Sequence, residues 1–242
     1  MAINVDTVYQ KVLAIANKEQ RGYITPQEFN LFANQAQLGI LEQHLYDINQ
    51  FGRIHGNDTE YSDMLGLLNE KLAALKSHRD CTYNTAGGFF RLPVINGQND
   101  VYKLGTVEYS GKEVEEVAHN ELLYINLSPL AKPTKQRPIY VHHKGVWGGE
   151  ERDVIYVYPK KIKSGISCTY INKPQDVRWG YIVVNEKALY DGLNSTNFQL
   201  HPSDEVDLVI KILKLAGVSM KNMELVQGAA SEEAMNIQQE KQ

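Results

Sequence analysis

The sequence has few cysteines and no long apolar run. Its 242 residues include Cys81 and Cys168 alone of that type, which is too few for a disulfide framework or a zinc site. Both lie in apolar or β-like contexts, which predicts buried free thiols. No stretch of about 18 apolar residues is present, so no membrane span is expected. The start, MAINVDTVYQKV, lacks the basic and then apolar regions of a signal peptide, which predicts a protein made and kept in a cytoplasm.

An excess of basic charge is absent as well, with 25 Lys and Arg against 29 Asp and Glu. The formal net charge is −4 at pH 7. Proteins whose main task is to hold DNA usually carry a net basic face, because their affinity comes from neutralising phosphates. Basic clusters such as Lys160, Lys161 and Lys163 are short. The composition therefore excludes DNA binding as the main task and leaves weak, sliding contact with nucleic acid open.

The short motifs of common catalytic and nucleotide-binding sites are missing. The sequence contains no G-x-x-x-x-G-K-[ST], no G-x-G-x-x-G after a strand, no H-E-x-x-H and no G-x-S-x-G. Acidic pairs at 115–116 and 150–151 are typical of exposed faces or turns, although a hydrolase could hold two carboxylates in this way. We expect no enzyme activity, no catalytic residue, no metal and no cofactor. A hydrolase with a hidden acid pair remains open as a third class of function.

Tyrosine, in contrast, is abundant, with 14 residues against 6 phenylalanines and 2 tryptophans. Its ring is largely apolar and its hydroxyl is polar, so tyrosine suits surfaces that are half buried or shared with a partner. This composition favours a protein that makes contacts over a broad surface.

Residues 1–76 predict a helical region. Apolar side chains recur at helical spacing in a first helix: Val5, Val8, Tyr9, Val12, Leu13 and Ala16. A long second helix ends near Gly52, and a third spans about 60–76. Three glutamines of the long helix are expected to point outward, as a solvated face or as a polar packing face: Gln35, Gln37 and Gln43.

The start of the long helix carries the most specific local pattern in the sequence. Thr25 and Glu28 have the spacing of a capping box, in which each side chain pairs with the backbone N–H of the other residue. Pro26 falls at the first helical position, where its missing N–H costs nothing. Ile24 and Phe29 occupy the two positions of a hydrophobic staple.

Residues 77–200 predict a β-rich domain. Candidate strands lie at 89–95, 101–109, 138–143, 154–159, 166–171 and 179–185. Ser110 and Gly111 are typical of a hairpin turn, and a short helix is expected at about 118–127. These patterns favour an antiparallel sheet.

Residues 201–242 predict a helix followed by a polar tail. Asp204, Glu205 and Asp207 crowd the first turn, where acids favour the positive end of the helix dipole, and Gly217 is expected to end the helix. We expect this helix to return to the N-terminal helices. The whole chain is therefore predicted to be an α+β protein.

A calcium-binding loop is one alternative interpretation of residues 17–28. Gly22, Ile24 and Glu28 fit loop positions 6, 8 and 12 of an EF-hand. Arg21, however, places a cation at a ligand position, and Asn17 is neutral. A capped helix start explains the pattern without a metal.

Histidines and one tryptophan complete the candidate residues. His142 and His143 are adjacent on a predicted strand, so they should face opposite sides and not share a metal. His201 precedes Pro202-Ser203-Asp204, a pattern that favours a helix start over a catalytic triad. Trp147 lies at a predicted hairpin tip, either as an anchor for a partner or folded back onto the sheet.

Several stretches of the chain resemble one family when they are taken together. They lie at 17–30, 33–37, 120–122, 128–130, 133–134, 200–205 and 236–241. This set is similar to the ring or adaptor proteins, also called tail-tubular or head-to-tail connector proteins, of short-tailed bacteriophages, and of crAss-like phages in particular.

The resemblance implies a virion structural protein rather than an enzyme. It implies a homo-oligomeric ring, possibly twelvefold, around the DNA channel, with the portal above and other tail proteins below. Genomic DNA would pass without sequence-specific contact, and the protein would be made in the bacterial host cytoplasm and end in the virion. The alternative is a tail-associated module that binds a host surface or glycan through its β domain and Trp147.

Overall fold

The structure, a computed structural model, describes residues 2–18, 24–51, 59–95, 98–99, 101–185, 187–219, 231 and 234–235. Its helices are α1 (Val5–Lys18), α2 (Pro26–Phe51), α3 (Thr59–Ala73), α4 (His119–Leu127) and α5 (Glu205–Ser219). Its strands are β1 (Lys76–Asp80), β2 (Thr82–Asn84), β3 (Phe89–Arg91), β4 (Val94–Ile95), β5 (Gln98–Asn99), β6 (Val101–Tyr109), β7 (Lys112–Glu116), β8 (Ile139–Trp147), β9 (Glu150–Tyr158), β10 (Ile166–Asn172), β11 (Tyr181–Val184) and β12 (Lys187–Tyr190). The predicted α+β class is confirmed.

The chain divides into two compact units. Unit 1 combines Met1–Ala74 with Pro174–Gln242, and unit 2 is Leu75–Lys173. The β-rich domain predicted at 77–200 therefore extends too far. Residues 174–200 belong with the helices, because Val177, Trp179 and Phe198 are buried in the helical core.

Unit 1 is built around the apolar stripes of its helices. The stripe of α1 is buried from Val5 to Ala16, and α5 packs against both α1 and α2. Ile24 and Phe29, the staple pair, lie in this same core. The helix α5 continues to Ser219, so Gly217 does not end it. Gly217 is itself buried in the last turn, directly after the core residue Ala216.

The capping box at the start of α2 is formed. The Thr25 N–H donates to Glu28 Oε2 at 3.0 Å, and the Glu28 N–H donates to Thr25 Oγ1 at 3.3 Å. The Thr25 hydroxyl also donates to Glu28 Oε2 at 2.8 Å. The bonds that this carboxylate accepts from the backbone and the side chain of Thr25 lower the pKa of Glu28. Two backbone donors at the helix start are thus satisfied.

We expect the two halves of this box to be energetically coupled. Thr25→Ala should cost about 1 kcal/mol of stability, and Glu28→Ala should cost less because it removes one side of the box. The double variant should lose less than the sum, which denaturant unfolding measures as a mutant cycle. Calcium should leave all four proteins unchanged. Additive losses, or a calcium-dependent rise in Tm, would contradict this interpretation.

The main sheet of unit 2 is closed because its two edge strands are joined directly by the chain. Its strand order is β1-β10-β6-β7-β8-β9-β3-β2. The two outermost strands, β1 and β2, are consecutive in sequence and are separated by Cys81, whose N–H donates to the Ile166 carbonyl at 2.8 Å. One core cluster receives side chains from β3 and from each strand from β6 to β10.

One strand pair departs from the predicted antiparallel sheet. The strands β7 and β8 are parallel, and the chain between them contains α4. Parallel neighbours need a crossover of a dozen or more residues, and α4 supplies much of it. Leu122 of α4 packs with Val117, Ile139 and Val141 on the outer face of β8.

The two predicted hairpin turns are present. Ser110 and Gly111 join β6 to β7 with φ of 51° and 75°. Gly148 and Gly149 join β8 to β9 with φ of 65° and 84°. Consecutive residues with positive φ give the turn whose twist matches that of paired strands.

Candidate functional site

Polar side chains of α2 bind an extended segment of unit 1 as a neighbouring strand would. The Asn34 side chain accepts from the Val177 N–H at 2.6 Å and donates to the Val177 carbonyl at 3.0 Å. Asn30 makes the same pair of contacts with Trp179, at 2.7 and 3.4 Å. We call this set the amide ladder.

Gln37 extends the amide ladder by one more turn of the helix. Its amide nitrogen donates to the Gln175 carbonyl at 3.0 Å, and its oxygen accepts from the Gln199 N–H at 3.0 Å. The side chain is 1% exposed, so the expectation that Gln37 points outward as a solvated face is wrong. The reason is that residues 175–179 need partners for their buried backbone groups. The alternative of a polar packing face describes this residue.

The amide ladder positions the hairpin of β11 and β12, which follows Trp179. The Trp179 indole donates to Asp6 Oδ1 at 3.0 Å, and its ring stacks on that of Tyr181 at 5.8 Å between centroids. Gly180 allows close approach of the chain, because a Cβ there would lie 2.7 Å from the Asn194 carbonyl oxygen. The base of the hairpin is therefore fixed on the core of unit 1.

The outer face of this hairpin is apolar. Cross-strand pairing places Ile182 opposite Leu189 and Val184 opposite Lys187. Tyr181 and Ala188 pack against the core, so the alternation of a strand turns Ile182 and Leu189 away from it. These two side chains are 57% and 53% exposed. We define the hairpin surface as Ile182, Val184, Leu189 and Leu193, all of them exposed.

A second apolar surface lies on α4 of unit 2. Leu122 faces the sheet at 4% exposure, whereas Leu123, Tyr124 and Leu127 are 59%, 73% and 79% exposed. Positions three and four apart share a helix face, so these side chains are contiguous. We define the helix surface as Leu123, Tyr124, Leu127 and the following Leu130.

Large exposed apolar side chains are thus concentrated in two stretches of the part of the chain that the structure describes. Single exposed apolar residues are ordinary on proteins, whereas contiguous groups mark contact sites. No residue of either surface was singled out by sequence reasoning. For the hairpin surface, a pattern that could have identified it is the run Tyr181–Val184, which is apolar at every position and so cannot bury all its side chains against a single core.

Trp147, the predicted contact residue, lies at the end of β8 and is half-buried. The guanidinium carbons of Arg91 and Arg152 each lie 4.5 Å from the centre of its ring. Arg152 is held in turn by Glu150 at 2.7 Å. The ring is therefore engaged within unit 2 by cation–π contacts, and Trp147 as an anchor for a partner stays a prediction.

The predicted histidine pair is divided between the two sides of β8. His142 lies 4.0 Å from Asp153 Oδ1. His143 lines a cleft of about 150 Å³ with His119 and Tyr156, with ring centroids 6.2 and 6.4 Å from its own. Among the described residues that line this cleft, none carries a carboxylate. Within the described ranges, no group of three or more metal-ligating side chains is found.

His201, Ser203 and Asp204 lie in the short 3-10 turn that leads directly into α5, in agreement with the helix-start interpretation. The Ser203 N–H donates to His201 Nδ1 at 3.3 Å, while Asp204 turns into the core at 1% exposure. There Asp204 contacts His44 Nε2 at 3.1 Å and Lys71 Nζ at 3.0 Å. This cluster joins α2, α3 and the start of α5.

The calcium-loop alternative can be compared with the structure at its two ends. Asn17 belongs to α1, and the Glu28 carboxylate is occupied by Thr25. The loop positions Arg21 and Gly22 lie outside the described residues.

The chain matches no known protein-family model, and no curated protein gives a significant match. The resemblance to phage ring proteins therefore rests on the stretches quoted above. None of the helices in the described ranges has both the length and the apolar character needed to cross a membrane.

Proposed function

We propose that the protein is an assembly protein whose copies join head to tail, the hairpin surface of one copy binding the helix surface of the next. The observation that carries this proposal is the presence of two unlike apolar surfaces, one on each unit. A contact between unlike surfaces is heterologous, and repeated rotation closes such contacts into a ring.

The proposed ring is the head-to-tail connector of a short-tailed bacteriophage virion, between the portal and the tail. The sequence resemblance supports this place, and so does the net charge of −4. A channel through which DNA slides should not hold phosphates tightly. Trp147, with two guanidinium groups over its ring, does not favour the alternative of a glycan-binding module.

Paired variants test the contact. Ile182→Gln/Leu189→Gln alters the hairpin surface, and Leu123→Gln/Leu127→Gln alters the helix surface. Leu31→Gln/Leu67→Gln is the matched control, because these leucines are 70% and 55% exposed and lie outside both surfaces. Sedimentation and native mass measurements would follow association as the concentration rises.

We expect the wild type and the control to form closed rings and each surface variant to stay monomeric. An equimolar mixture of the two surface variants should give a heterodimer that grows no further, because one intact hairpin surface and one intact helix surface remain. A wild-type chain that stays monomeric at every concentration, or a mixture without heterodimer, would overturn the proposed contact. A reconstruction of virions in which the protein forms no ring below the portal would overturn the proposed place.

A further inference from the structure

Two buried thiols meet where the sheet of unit 2 closes. Cys81 and Cys168 are 87 residues apart in sequence, yet their sulfur atoms lie 3.3 Å from each other. Their exposed fractions are 8% and 0%. Sequence reasoning predicted buried free thiols, and both are buried and free, but their distance in sequence gave no sign that they are neighbours.

The strand register explains why they meet. Cys168 pairs with Arg79 of β1, and the Cys81 N–H binds the Ile166 carbonyl. The two cysteines are therefore diagonal neighbours across adjacent strands. Diagonal neighbours usually have α-carbons about 7–8 Å apart. Cys81, however, lies at the junction between β1, which pairs with β10, and β2, which pairs with β3.

We propose that Cys81 and Cys168 are a modification site that a peroxide converts into an intramolecular disulfide, which links the β1–β2 junction to β10 and fixes the closure of the sheet. A disulfide needs the two sulfur atoms about 2.05 Å apart. The sulfurs therefore have to approach by little more than 1 Å, a movement within the range of side-chain rotation. This inference is independent of the proposed assembly function.

The chemistry balances with hydrogen peroxide as the oxidant. The Cys81 thiol donates a hydrogen bond to the Cys168 sulfur, which lowers the pKa of Cys168 and favours it as the attacking thiolate. Its sulfur attacks one peroxide oxygen, the O–O bond breaks, and a sulfenic acid and hydroxide form. The Cys81 sulfur then attacks the Cys168 sulfur and the S–O bond breaks. The two thiol protons leave in two water molecules.

The bond should stabilise unit 2, since it closes a long loop of chain. In the chain-entropy account, a crosslink removes more freedom from the unfolded chain as the loop becomes longer. Trp147 lies in unit 2 and Trp179 in unit 1, so the fluorescence of variants that keep one of them, Trp179→Phe for unit 2 and Trp147→Phe for unit 1, distinguishes the two units. Unfolding of unit 2 is the transition that should shift.

The test treats the full-length protein with hydrogen peroxide, folded and in urea, and maps the cysteines by mass spectrometry after alkylation. We expect a linked pair of peptides holding Cys81 and Cys168, formed more than about tenfold faster in the folded protein, because proximity replaces a chance encounter. The Tm of unit 2 should rise by about 10 °C or more. Cys81→Ser and Cys168→Ser should give no internal link and no shift.

Three outcomes would overturn the proposal. Both thiols could remain free for alkylation, the folded protein could carry separate sulfinic acids instead of a link, or the link could form without raising the Tm of unit 2. The wild-type comparison decides the matter even where a serine variant fails to fold.

Discussion

Replacement of Asp204 with alanine should destabilise unit 1 by about 3 kcal/mol or more. Asp204 is 1% exposed and holds both His44 and Lys71. Removing one partner of a buried ionic pair is strongly destabilising, because the remaining polar groups lose their compensation in the core. The cluster joins three elements, so α3 and the start of α5 should both loosen from α2.

The adjacent residue supplies a matched control. Glu205 pairs with Lys11 at 2.7 Å, but this pair is at the surface, with side chains 29% and 52% exposed. Surface pairs contribute about 0–1 kcal/mol, so Glu205→Ala should stay within that range. Urea unfolding in a Trp147→Phe background would report on unit 1 through Trp179. Equal losses of unfolding free energy in Asp204→Ala and Glu205→Ala would show that burial does not determine how much an ion pair stabilises unit 1.

Acid should also remove the contribution of Asp204 to the stability of unit 1. Burial opposes the charge of the Asp204 carboxylate, but the hydrogen bond and charge of His44, together with Lys71, lower its pKa. A carboxyl whose pKa is lowered on folding stabilises the fold above its unfolded pKa, about 3.9. The free energy of unfolding should therefore fall as pH drops below about 4 toward the lowered pKa. Asp204→Asn should show a smaller fall.

Asn34→Ala should cost unit 1 about 2–4 kcal/mol. The change removes both partners of Val177, whose backbone N–H and carbonyl bind the Asn34 side chain at 2.6 and 3.0 Å. Val177 is 2% exposed, and each buried polar group left unpaired costs about 1–3 kcal/mol. The higher helix propensity of alanine offsets only about 0.5 kcal/mol of this loss.

Two further variants make the amide ladder test specific. Asn34→Asp keeps the size and the acceptor for the Val177 N–H but replaces the donor to its carbonyl, so it should destabilise as well. Gln35→Ala changes an exposed neighbour on the same helix and should stay within about 0.5 kcal/mol. A small loss in both Asn34 variants would mean that water satisfies residue 177 and that the amide ladder does not hold the segment.

The helices could be predicted from the sequence because their burial follows the helical period. The capping box located the start of α2, and apolar spacing located α1 and α5. The strands β1 and β7 were missed, since KSHRD and KEVEE carry charges where a half-buried strand usually alternates apolar and polar residues. These strands are specified by the neighbours they pair with, which local sequence does not show.

The buried polar residues and the exposed face of α4 could not be predicted for a similar reason. Gln37, His44 and Asp204 are polar types that are usually exposed, and they are buried because residues distant in sequence supply their partners. From the sequence alone, Leu127 is expected to be an ordinary core residue of a short helix. Its exposure follows from Leu122 and Ile125 being the residues that face the sheet.

The division of unit 1 into two stretches of chain has a consequence during synthesis. A ribosome releases α1 and α2 well before residues 174–219, which supply Val177, Phe198 and α5 to their core. Unit 2 is complete at Lys173, so it can fold before residues 175–179 are made. Until then the side-chain amides of α2 are bound to water instead of to that segment. A chain that stops at residue 173 would carry a finished sheet, but α1 and α2 would lack the buried apolar partners that residues 174–219 supply. Expression of such a truncation should give aggregated protein, because the early helices are stabilised by the last part of the chain to be made.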